Sequence, residues 1–185
     1  MSCCINAIQF HPVDASILAV GLFSGEVALV DSFKDQSEPA NVEDNIGKSD
    51  NSTTSINHRK RGENYACEGS GHNMMVTSVH WIRPDHGSYY ELISSAKDGH
   101  ICLWSVNKTN TAFELKRKFV VWSDSLPDEV KVGNRHFSGM KEIGVTQLSC
   151  CKDDPYVNLF CTFGSLVFQG DLASEQEAIA TCKLI

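Results

Sequence analysis

One order of parts occurs three times in this chain, and a repeat of that kind governs what the chain can fold into. INAIQFHPVDASILAVGLFSGEVALVD runs from Ile5 to Asp31, VTSVHWIRPDHGSYYELISSAKDGHICLWSV from Val76 to Val106, and IGVTQLSCCKDDPYVNLFCTFGSLVFQGDL from Ile143 to Leu172. Each opens on an alternating strand and breaks at a proline, Pro12, Pro84 or Pro155. A short apolar run follows, then a tight turn at Gly25, Gly99 or Gly164, then a second apolar run. Alternation bounded by turn residues is the pattern of antiparallel strands.

Units of this size cannot bury their faces alone, and they close radially as a propeller. The fold class expected is therefore all-β, a partial β-propeller of about three four-stranded antiparallel blades across residues 1–185, with repeat cores at 5–31, 76–106 and 143–172. A two-sheet sandwich is the alternative, but it leaves the shared order of proline, apolar run and turn to chance. The turn glycines are 74 and 65 residues apart, longer than the ~40 to 45 residues of a one-blade repeat. Insertions account for the excess. Residues 33–70 are rich in Asn, Ser, Asp and Lys with almost no apolar residue, which predicts a long disordered loop. The spacer 107–142 holds a strand candidate from Phe119 to Trp122 and a polar loop. Each spacer is expected to carry the outer strand of a blade.

Composition narrows the partners. With Lys+Arg at 16 against Asp+Glu at 23 and a net charge of −7, the chain lacks the basic face of a nucleic-acid binder, and a protein surface is the expected partner. No run approaches the roughly 20 apolar residues of a membrane span, and the N-terminal MSCCINAIQF lacks the basic start of a secretory signal, so a cytoplasmic location is expected. The eight cysteines show no C-x-x-C spacing and are expected to sit reduced, as small buried hydrophobes, with no metal. His58-Arg59-Lys60-Arg61 is the one basic cluster and reads as a solvated loop. P-loop, G-x-S-x-G and H-E-x-x-H patterns are missing, so no catalytic residue and no cofactor are assigned.

Gly71-His72, Asp98 and Trp104-Ser105 resemble the Gly-His, Asp and Trp-Asp positions of a WD repeat, with Ser105 in place of the final Asp. The resemblance implies a structural tetrad of His72, Ser94, Asp98 and Trp104, in which hydrogen bonds tie the outer strand to the inner ones. His72 with Asp98 has the composition of a catalytic dyad, but its place at an Asp-Gly turn favours the structural role. The first repeat has Ser24 for the turn Asp, and the third has Phe163.

AVGLFSGEVALVD (Ala19 to Asp31), LISSAKDGHICLWSV (Leu92 to Val106) and GVTQLSCCKDDPYVNLFCTFGSLVFQGDL (Gly144 to Leu172) together resemble the dynein intermediate chain family, above all its branch in the motor of retrograde intraflagellar transport. That resemblance implies a non-catalytic scaffold whose propeller grips the tail of a dynein heavy chain, at the cytoskeleton and cilium. Family members carry an N-terminal extension that binds dynein light chains. Nothing here matches it, so this chain is expected to lack light-chain binding. The second functional reading is a WD-repeat adaptor of another assembly, such as a ubiquitin-ligase substrate receptor. Three blades cannot close a ring, which predicts a fragment that is marginal alone, and a first blade lacking the outer strand that a preceding repeat would supply.

Overall fold

A computed structural model of the 185-residue chain describes residues 4–31, 65–66, 71–84, 89–107, 113–123, 142–151, 157–162 and 167–172. All elements among these residues are strands: β1 (Ile5–Phe10), β2 (Ile17–Leu22), β3 (Val27–Asp31), β4 (Tyr65–Ala66), β5 (Val76–Ile82), β6 (Glu91–Ala96), β7 (His100–Val106), β8 (Phe113–Val120), β9 (Val145–Cys150), β10 (Val157–Thr162) and β11 (Val167–Asp171). They form three antiparallel sheets in chain order, β1-β2-β3-β4, β5-β6-β7-β8 and β9-β10-β11. Each repeat core supplies the first three strands of one sheet. The chain is thus a partial β-propeller of three blades.

Turn chemistry sets the hairpins. Gly25 N–H donates to Leu22 O and Gly99 N–H to Ala96 O, while both glycines sit at positive φ, +95° and +80°. A four-residue turn closed by a left-handed residue matches the twist of the flanking strands, and only glycine takes that conformation without strain. The third turn, at Gly164, lies outside the described residues.

Burial follows the strand period. In the middle blade, Leu92, Cys102 and Trp104 pack with Ala7, Ala19 and Leu29 of the first blade, whereas Ile93, Ile101 and Leu103 pack with Val145 and Leu148 of the third. Alternate residues point to opposite faces, so a blade covered on both sides is buried along its whole length. That is why β6 is buried at every position. Its outer strand β8 instead exposes Glu114, Lys116, Arg117, and charge on an edge strand discourages pairing with another chain.

Three expectations are corrected. The first blade does not lack its outer strand, because Leu29 and Ala28 of β3 pair with Tyr65 and Ala66. The outer strand follows its own blade along the chain, so the sheet with three strands among the described residues is the third. Within the 33–70 segment, read as a loop, Tyr65–Ala66 is therefore strand; 33–64 and 67–70 lie outside the described residues, as does the His58–Arg61 cluster. The strand of the second spacer is Phe113–Val120 rather than Phe119 to Trp122; Phe113 and Phe119 turn inward around a charged middle, and Trp122 makes an isolated bridge with Glu142. Of the four cysteines whose side chains are described, Cys4, Cys102, Cys150 and Cys151, Cys102 is fully buried. Cys4 and Cys151 are exposed, and none of the four is in a disulfide. Burial pushes the half-buried Cys150 thiol up to about 12.

Candidate functional site

His72 enters the middle blade ahead of β5, Ser94 lies on β6, Asp98 in the β6–β7 turn and Trp104 on β7, and the fold brings all four together. Trp104 Nε1 donates to Ser94 Oγ at 2.8 Å, and that oxygen lies 2.7 Å from His72 Nε2. His72 Nδ1 is 3.5 Å from Asp98 Oδ1. With the indole as a fixed donor, one arrangement satisfies every group. The Ser94 hydroxyl donates to Nε2, and Nδ1–H points at the carboxylate.

Asp98 anchors the chain to backbone as well. Its Oδ2 accepts from Asn73 N–H at 2.7 Å and its Oδ1 from His100 N–H at 3.0 Å. Burial raises the carboxyl's pKa, but the hydrogen bonds from His72, Asn73 and His100 outweigh it and hold Asp98 well below the usual carboxylate range. The glycine before His72 is a packing requirement. A Cβ on Gly71 would lie 2.4 Å from Trp104 Cη2, so the indole closes over residue 71 only if it has no side chain. The first repeat has no counterpart; Ser24 Oγ donates to Glu26 Oε2 at the surface instead. Phe163, its counterpart in the third, lies outside the described residues.

Serine, histidine and aspartate in this order have the connectivity of a hydrolase triad. Ser94 is fully buried, however, and its oxygen is occupied by the indole N–H. No substrate reaches that hydroxyl in this arrangement. Among the described residues no group of three or more His, Cys, Asp or Glu is placed to hold a metal ion, and no helix is long and apolar enough to cross a membrane.

Polar contacts that no sequence motif marks join the blades. Gln9 Oε1 accepts from Trp81 N–H at 2.6 Å, and Asn6 Nδ2 donates to Val76 O at 2.8 Å. At the next joint Thr77 Oγ1 donates to Val145 O at 2.8 Å, His80 Nε2 lies 2.6 Å from Leu148 O, and Ser78 Oγ accepts from Leu148 N–H at 3.0 Å. His11, next to Pro12, is a buried wedge. Its ring stands edge-on to Trp81 and Tyr90, each at 4.7 Å between centroids, and its Nδ1 accepts from Asp14 N–H at 2.9 Å. The signal for these residues is their equivalence between repeats, since Asn6 and Gln9 occupy the places of Thr77 and His80.

Blades stacked inner strand to inner strand define the chain as a partial β-propeller, and the Gly-His, Asp and Trp positions joined inside the middle one are similar to those of a WD repeat. The chain's fold is similar to that of the β-propeller domain of Myceliophteria thermophila Cps50 (Swd1), with a TM-score of 0.55 and 11% identity over 99% of this chain and 42% of that one. In sequence it is similar to cytoplasmic dynein 2 intermediate chain 2 of Homo sapiens, 25% identical over 180 residues, and to the Mus musculus protein of the same name, 27% identical over 176. Both alignments take in 95% of this chain, which spans 28% of the length of those relatives. The likeness to the dynein intermediate chains read from the three repeats is shown by these alignments. No protein-family model matches the chain.

Proposed function

We propose that this chain is a non-catalytic WD-repeat scaffold of a dynein motor complex, whose propeller holds the tail of a dynein heavy chain in retrograde intraflagellar transport and cilium assembly. The observation that carries the reading is the breadth of the likeness. The alignment to dynein 2 intermediate chain 2 runs through all three blades rather than through one WD signature. The His72, Ser94, Asp98 and Trp104 chain acts in this reading as the structural tie of the middle blade, since its groups are spent on one another and on backbone. The test is affinity purification of the tagged chain from ciliated cells. Recovery of a dynein heavy chain is expected. Recovery of ubiquitin-ligase subunits with no heavy chain would establish the adaptor reading instead.

A further inference from the structure

The middle blade holds a second buried histidine, which the chain from His72 to Trp104 does not use. His100 follows the turn glycine Gly99, and its side chain is 10% exposed. The segment that leads into β9 crosses this turn at close range. Val121 N–H donates to Gly99 O at 3.0 Å and Ile143 N–H to Val121 O at 2.8 Å, and a Cβ on Gly99 would lie 3.1 Å from Glu142 Cβ.

His100 is thereby held between two carboxylates on different sides of the joint. Its Nδ1 lies 3.1 Å from Asp98 Oδ2 in its own turn, and its Nε2 lies 3.8 Å from Glu142 Oε1 on the segment entering the third blade. Nδ1 has no hydrogen bond among the described residues, and Asp98 Oδ2 accepts from Asn73 N–H instead. The contact between ring and carboxylate is one of proximity, so its strength follows the charge on the ring.

A neutral imidazole cannot serve both carboxylates. One of its nitrogens carries a proton and the other a lone pair, whereas the imidazolium has two N–H groups. In the neutral ring the proton belongs on Nδ1, facing the nearer oxygen, and the Nε2 lone pair then opposes Glu142. Asp98 is fixed by Asn73 N–H and His100 N–H, but the Glu142 side chain is 45% exposed and has water to turn into.

The other charged and titratable groups around the ring do not take over this role. His72 flanks Asp98 at its other oxygen and is also bonded to Ser94. Lys97 on the turn is exposed, and Lys118 on β8 stands opposite Cys102; neither is ion-paired with Asp98 or Glu142 among the described residues. His80, also at this joint, bonds Leu148 O further along β9. The first blade has no equivalent ring, because Glu26 follows its turn glycine and accepts from Ser24 at the surface.

We propose that His100 is a proton-operated clasp on the joint between the second and third blades: charged, it holds Asp98 and Glu142 together; neutral, it keeps Asp98 and releases Glu142. The joint therefore tightens as pH falls through the range in which imidazoles titrate. That sense is opposite to the effect of a histidine buried in its neutral form.

Amide exchange in the full chain tests the clasp at Ile143, whose N–H bond to Val121 O adjoins Glu142. Protection of Ile143, corrected for the intrinsic pH dependence of exchange, is expected to rise about two- to fivefold between about pH 7.5 and 5.5, the effect of a partly exposed ion pair. Glu142→Gln removes the charge, leaves His80 and Leu148 in place, and is expected to abolish the rise. His100→Gln is expected to abolish it too, and the half-exposed site of Glu142 keeps the test valid if the buried substitution folds poorly. Nitrogen chemical shifts of the labelled ring give a second reading, with the proton of neutral His100 expected on Nδ1. No rise in the unaltered chain overturns the proposal. So does a rise that persists in Glu142→Gln, or a neutral ring protonated on Nε2.

Discussion

Ser94 Oγ is shared by two buried partners, accepting from Trp104 Nε1 at 2.8 Å and lying 2.7 Å from His72 Nε2. Ser94→Ala removes both contacts and leaves an indole N–H and an imidazole nitrogen buried without a partner. Each orphaned group of this kind costs about 1 to 3 kcal/mol. The expected outcome is a lower urea midpoint with an unchanged slope, because the folded and unfolded surfaces stay the same size. An unaltered midpoint would show that the hydroxyl ties nothing.

Gly71 is set by contact with the same indole. A Cβ there meets Trp104 Cη2 at 2.4 Å and Cys102 Sγ at 3.2 Å. Gly71→Ala is expected to destabilise by about 1 to 3 kcal/mol through overpacking. Combining it with Trp104→Phe, which shortens the ring, is expected to cost less than the sum of the two changes. The coupling energy from the double-mutant cycle measures this. Strict additivity would place the clash elsewhere.

The order of strands is legible in the sequence because turn glycines and strand-end prolines punctuate it. Asp98-Gly99 marks its hairpin by the backbone conformation that turn demands. The joints between blades are not legible in the same way. Gln9, Thr77 and His80 alternate with apolar residues, which in a single strand is the pattern of a solvated face. Only the stacking of β1, β5 and β9 turns that face toward a neighbouring backbone. Ile8 and Phe10 mislead in the opposite sense, since they are apolar yet half exposed. The outer strand is hardest to see. Tyr65–Ala66 is two residues long in a polar stretch, and its pairing with β3 is a long-range event with little local signal.

Ser78 offers a test of the joint between the second and third blades. Its buried hydroxyl accepts from Leu148 N–H at 3.0 Å. Ser78→Ala leaves that amide without its acceptor, at about 1 to 3 kcal/mol. Amide exchange distinguishes a local effect from a global one. Faster exchange is expected at Leu148 and its neighbours in β9, with β2 and β3 unchanged. Uniform acceleration across all three blades would mean that the joint opens only with the whole fold.

His11 makes stability depend on pH in a direction that follows from its surroundings. Burial against Trp81 and Tyr90 lowers its pKa from the ordinary value of 6.5, and the Asp14 carboxylate offsets only part of this. Burial likewise lowers that of His80, opposed by its hydrogen bond to Leu148 O. When the folded pKa is the lower one, the unfolded chain takes up its proton first as pH falls below about 6.5. The histidines' contribution is therefore full above that value and is lost as pH falls through the folded pKa values. Asp98, held ionised by its hydrogen bonds, adds a separate loss below the ordinary carboxylate range near 3.8. His11→Asn separates the terms, because its amide oxygen is suited to accept from Asp14 N–H in place of Nδ1 while no group titrates. The variant is expected to be less stable near neutrality, having lost both ring contacts, and to show a shallower decline between about pH 7.5 and 5.5 in denaturant titrations. An equally steep decline would assign the acid sensitivity to His80 rather than to His11.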